Sequence, residues 1–155
     1  MSKIVDMKNP QTLAEELYNQ FPNDKLYQIK ENSCCILTFM WCLGIEPEDA
    51  QALITVGRMI DCKVIDNDCT VTWNTACNYL TGRSCTVESK DIKSIKGIKK
   101  RTPVKFARVD ENGKTHEHWV GVENGEIGFN PLKNSLCVKF GKPVTARILT
   151  ISGGY

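Results

Sequence analysis

The sequence predicts an α+β domain in which a helical first half packs against an antiparallel sheet built by the second half. Apolar residues recur at helical spacing over roughly the first 80 positions, and from Pro103 onward they alternate with a period of two. Between the alternating runs lie Asp110-Glu-Asn-Gly113 and Glu123-Asn-Gly125, strong tight-turn sequences.

Each element follows from its own signals. Pro10 to Phe21 carries apolar residues at 13, 14, 17, 18 and 21, one face of a helix, and Pro22-Asn-Asp is read as its stop. Asn32-Ser33 supplies capping residues for a second helix that runs through Cys34-Cys-Ile-Leu-Thr-Phe-Met-Trp-Cys-Leu43 to Gly44. Its near-continuous apolarity implies burial on most sides. A third helix is expected from Pro47, a first-turn proline, to Ile60, and a short one from Thr70 to Leu80 before Thr81-Gly82. Strands are expected at Pro103–Val109, His116–Val122 and Val144–Ile151, while 61 to 70 and 82 to 101 read as loops.

Composition narrows the function classes. The 155 residues suit one domain, 1–155, with one core; 41 % apolar and 25 % charged residues are ordinary for a globular protein. A net charge of +2 is too weak to argue for a nucleic acid or membrane-surface partner, and Lys96-Gly-Ile-Lys-Lys-Arg101 reads as a solvated run. No apolar run approaches the roughly 20 residues of a membrane span, and the first residues lack the apolar stretch of an export signal. A cytoplasmic protein with reduced thiols is therefore expected. The eight cysteines (34, 35, 42, 62, 69, 77, 85 and 137) include no C-x-x-C pair, and neither histidine stands at finger spacing from a cysteine. Cys42, Cys77 and Cys137 sit beside apolar residues and read as small buried hydrophobes.

The chemistry-bearing pattern is Gln28, six residues ahead of the pair Cys34-Cys35, followed by His118 opening an apolar strand and then Asn130. A helix N-terminus carries unsatisfied N–H groups and partial positive charge, which favour a thiolate; both cysteines fall in that first turn. His116 and His118, the two histidines of the chain, project to the same side of one strand. His116 reads as a solvated hairpin residue, and His118 as the base for the thiol proton, anchored by Trp119 and Val120. Asn130 lies across the Glu123-Asn-Gly125 turn, where its carboxamide can reach the imidazole. Gln28 supplies an amide donor that, with the cysteine's own N–H, can hold an oxyanion.

In this order, Gln, Cys, His, Asn, the residues resemble the papain-like cysteine peptidase superfamily, and the spacing of six from the glutamine selects Cys34. Cys34, Thr38 and His118-Trp-Val-Gly-Val are similar to the pattern of the small bacteriocin-processing peptidases, with Asn130-Pro131 where those commonly have Asp-Pro. The C-G-S-C-W signature of papain is absent, and Cys35 stands where the bacterial relatives often have glycine or an aromatic residue. The resemblance, over roughly residues 26 to 132, implies a papain-like fold with the site between its halves and a thiol peptidase or amidase. Its catalytic residues are then Cys34, His118, Asn130 and Gln28, its substrate a peptide or protein, and it needs no metal or organic cofactor.

Three other readings stand beside it. One is a non-catalytic papain-like scaffold acting as a protein-binding or inhibitor module. Another is a peptidoglycan amidase or endopeptidase. The third is a metal site formed by Cys34, Cys35, His116 and His118.

Overall fold

Pro10 and Asn23 set the first two helices. In the computed structural model, which describes residues 9–153, Pro10 opens α1 (Pro10–Gln20) and the Asn23 side chain accepts from Leu26 N at 2.9 Å to cap α2 (Asp24–Asn32). The sequence Pro22-Asn-Asp is therefore a helix stop and a helix start in one. A helix over 24–32 was not expected, because the asparagine that ends one pattern also satisfies the orphan N–H groups of the next. The expectation that the chain's first residues hold no export signal rests on residues 1–8, outside the described residues.

Only Ser33 separates α2 from α3 (Cys34–Cys42). Its backbone is helical (φ −83°, ψ −2°) and its hydroxyl makes no capping bond, so the capping role expected of it is not realised. Then follow α4 (Asp49–Asp61) and α5 (Trp73–Thr81), which Gly82 closes with φ of 74°. Both start later than expected; at the second, Val71 is held in a bridge with Ile65 that keeps residues 70–72 extended. The strands are β1 (Ser84–Asp91), β2 (Thr102–Val109), β3 (Thr115–Glu123), β4 (Glu126–Phe129) and, after the short α6 (Leu136–Phe140), β5 (Lys142–Ser152). They form one antiparallel sheet in the order β1-β5-β2-β3-β4. Asn124 and Gly125 (φ 54° and 76°) make the β3–β4 turn that the sequence signalled. The strand β1 inside the expected loop 82 to 101, and α6, are additions of the structure.

The helical region packs against the sheet over a core that includes Ile36, Phe39, Met40, Val56 and Met59. A smaller core joins Val104, Val120, Val122, Ala146 and Cys137. All eight cysteines are unpaired, and Cys77 and Cys137 are buried as expected, whereas Cys42 is half-buried. Among the described residues no helix is long and apolar enough to cross a membrane. The basic run is less free than expected, since Arg101 donates to Trp41 O at 2.8 Å and pairs with Glu46 and Glu123.

The position of α3 on the sheet is fixed by Trp41. Its indole stacks on Phe129 (centroids 6.0 Å apart, planes 13° apart) and lies against Gly121 of β3 and Gly128 of β4. A methyl at Gly121 would stand 2.3 Å from Trp41 Cε3, and one at Gly128 would stand 2.8 Å from Cζ2. Trp41 is 6 % exposed, so making room for a methyl means shifting a packed ring. Gly121→Ala is therefore expected to lower unfolding free energy by about 1–3 kcal/mol, the usual range for overpacking, as read from denaturant unfolding curves.

Candidate active site

Asn130 fixes the chemistry of His118. Its Oδ1 accepts from Leu132 N at 3.2 Å and lies 2.7 Å from His118 Nε2. The backbone N–H can only donate, so the atom facing it is the carboxamide oxygen, and the same oxygen requires a hydrogen on Nε2. In the neutral ring the proton therefore sits on Nε2 and Nδ1 keeps its lone pair. The sequence-based pairing of His118 with Asn130 across the hairpin is present in the structure. His118 is 4 % exposed, and burial lowers its pKa below the ordinary 6.5, partly offset by the Asn130 bond.

Cys34 opens α3 and lines a cavity of about 280 Å³ together with His116, His118 and Cys137. The N–H groups of Trp119, Cys35 and Cys34 face its sulfur and favour the thiolate, but burial outweighs them and pushes the thiol up to about 11. No hydrogen bond joins the sulfur to the imidazole among the described residues. Both groups are accordingly held neutral, a thiol and an imidazole on the wall of one cavity rather than the thiolate that a helix N-terminus alone suggests.

Why Cys34 comes to this place is visible in β3. Strand β4 pairs with β3 only from Gly121 onward, which leaves the same edge of β3 uncovered at Trp119. Helix α3 covers it instead: Thr38 Oγ1 donates to Trp119 O at 3.3 Å, and the Trp119 N–H faces the Cys34 sulfur. Thr38, four residues after Cys34, thus has a physical reason to be a hydroxyl residue. Cys35, one step round the helix, is not on the cavity wall. It lies in the field of Arg147 and Lys105, both of which also stand over the Trp119 ring.

Gln28 is not brought to this cavity. It lines a separate groove with Tyr27, Ile60 and Asn67, and its Oε1 accepts from Asn32 Nδ2 at 2.7 Å. Residue 28 lies inside α2 rather than in a loop, so its side chain follows the helix surface. The glutamine that does reach the cavity is Gln11, which sequence reasoning missed. It is 2 % exposed, its N–H donates to Pro131 O at 2.9 Å, and its Nε2 donates to Lys30 O at 2.7 Å.

His116 is not simply solvated. It sits on the cavity wall and bonds Asp110 Oδ2 through Nε2 at 2.8 Å, which holds the Asp110 carboxyl down at about 2. Among the described residues, no group of three or more His, Cys, Asp or Glu is arranged to hold a metal ion. That weighs against the metal site at Cys34, Cys35, His116 and His118, whose adjacent cysteines diverge.

The buried neutral imidazole carries a pH signature. The unfolded chain takes up a proton at His118 near pH 6.5 while the folded chain resists until lower pH. Its contribution to stability is complete above pH 6.5 and is lost as pH falls toward the depressed folded value. Unfolding free energy measured from about pH 7 down to about pH 5 is expected to fall less steeply in His118→Gln than in the parent protein. No protein-family model, curated protein or solved structure matches this chain.

Proposed function

We propose that the chain is a papain-like thiol hydrolase that cleaves peptide or amide bonds, with Cys34 as nucleophile and His118 as general base and acid. The observation that carries this reading is the His118–Asn130 bond, which leaves Nδ1 as a free base on the wall of the cavity that Cys34 shares.

The chemistry starts from the neutral pair. As Cys34 Sγ attacks the carbonyl carbon, the thiol proton passes to His118 Nδ1, and the developing imidazolium is held by Asn130 Oδ1. The carbonyl electron pair moves onto oxygen, where the N–H groups now facing the sulfur are the donors nearest at hand. Collapse of the tetrahedral adduct expels the amine, which takes the proton from Nδ1, and leaves a thioester. Water, deprotonated by the same nitrogen, then releases the acid and restores the thiol. Gln28 has no part in this scheme.

A non-catalytic binding module on the same scaffold is favoured by one observation, the missing hydrogen bond between sulfur and imidazole. A library of fluorogenic peptide amides separates the two readings. Hydrolysis by the parent protein is expected to fall by about a thousandfold or more in Cys34→Ala, and only modestly in Cys35→Ala. Because the base must be neutral, activity should rise with pH through a midpoint below 6.5 and fall by about tenfold or more in Asn130→Ala. The reverse ranking of the two cysteines overturns the assignment. No cleavage of any library member, with tight binding of some, supports the module.

A further inference from the structure

Gln11 carries an unanswered acceptor in the wall of the cavity that Cys34 lines. Its Oε1 is buried and has no hydrogen-bond partner among the described residues, although Gln11 belongs to the cavity wall shared with Cys34 and His118. The orientation of the amide is fixed by chemistry. Lys30 O is an acceptor, so the atom 2.7 Å from it must be Nε2, and the oxygen cannot trade places with it. Lys30, which shares the cavity wall, is itself held by Glu31. A buried polar atom without a partner destabilises a fold by about 1–3 kcal/mol, and such atoms call for a reason.

The segment around Gln11 is also tied to the hairpin that carries His118 and Asn130 by three hydrogen bonds. Asn9 Nδ2 donates to Asn130 O at 2.7 Å, Gln11 N to Pro131 O at 2.9 Å, and Lys133 N to Thr12 Oγ1 at 2.8 Å. The residue that orients the imidazole and the residue that carries the unpaired carbonyl are thus parts of one clamped unit.

We infer that Gln11 Oε1 accepts a backbone N–H of the substrate bound at Cys34, making the site selective for peptide amides over ligands that lack this hydrogen. The inference rests on the thiol-hydrolase reading and gives its substrate a required group. A site built to receive an N–H discriminates strongly against an analogue without one, because its own buried acceptor then stays unpaired.

Two reagents test it: a dipeptide chloromethyl ketone, and the same compound with the amide nitrogen nearest the ketone methylated. Each alkylates a thiol, forming a thioether with loss of chloride, and mass spectrometry gives the rate at Cys34. In the parent protein the N–H reagent is expected to react about tenfold faster or more, the worth of one hydrogen bond. In Gln11→Leu the ratio should approach one. Gln11→Glu keeps an acceptor while losing the bond to Lys30 O, and should retain a preference. A purely structural role for Gln11 would slow both reagents alike and leave the ratio unchanged in Gln11→Leu, which overturns the inference. A parent ratio near one with Cys34 still the preferred thiol overturns it too, and leaves the hydrolase reading standing. If neither reagent prefers Cys34 to the exposed Cys62, the hydrolase reading falls and takes the inference with it.

Discussion

The arrangement of the site depends on one uncovered stretch of sheet edge. At Trp119 the backbone N–H and C=O of β3 face a side that β4 does not reach, and an open pair of that kind must be satisfied or solvated. The first turn and a half of α3 satisfies it, with Thr38 at the carbonyl and the Cys34 sulfur at the N–H. A helix has thus replaced a strand as partner, and its N-terminal residue is placed next to the strand residue after His118. Trp41 prevents the helix from sliding. From Trp41 back to Cys34 is seven helical residues, about 10 Å; from Gly121 back to His118 is three strand residues, also about 10 Å. Helix and strand run the same way from a common anchor, so equal travel brings both ends to one cavity.

Protonation at the site follows from burial more than from the helix N-terminus. A helix end and three N–H groups favour a thiolate at Cys34, yet removal from water costs the charged form more, and the thiol stays protonated to about 11. His118 is moved the opposite way by the same cause. Both groups are held neutral, which on the proposed hydrolase reading is the state from which the thiol proton is transferred. Asn130 serves either state: it accepts from Nε2 whether the ring is neutral or charged. Its own orientation is locked by Leu132 N, so the ring cannot turn without breaking its bond to a fixed oxygen.

Much of this was legible in the chain, and the parts that were not have physical reasons. The alternation in β2, β3 and β5 and the Asn124-Gly125 turn are local signals, and they gave the hairpin that joins His118 to Asn130. The apolar run of α3 gave a buried helix beginning at Cys34. Helix α2 was hidden because Asn23 reads equally as a turn residue and as a cap, and β1 because its exposed edge position leaves only Cys85 buried. The glutamine shows the limit of spacing arguments. A separation of six positions Gln28 beside the thiol only if a loop intervenes; with residue 28 inside a helix, the side chain leaves along another face. Gln11 reaches the cavity through contacts with residues 130 to 133, more than a hundred positions away, which no local pattern encodes.

The pair Cys34-Cys35 illustrates what helical geometry adds to sequence. Both residues occupy the first turn and both see the same helix end, so capping arguments treat them alike. Consecutive positions on a helix are turned by about 100° from each other. That rotation sends residue 34 to the wall with His118, and residue 35 toward Arg147, Lys105 and the Trp119 ring. The two cations favour a thiolate at Cys35, but burial raises its pKa further than that of Cys34, and the imidazole is on the other side. A nucleophile needs a base within reach more than it needs a nearby positive charge, because a buried thiol must first lose its proton. On the proposed hydrolase reading that criterion favours the cavity side of the helix, where Cys34 lies.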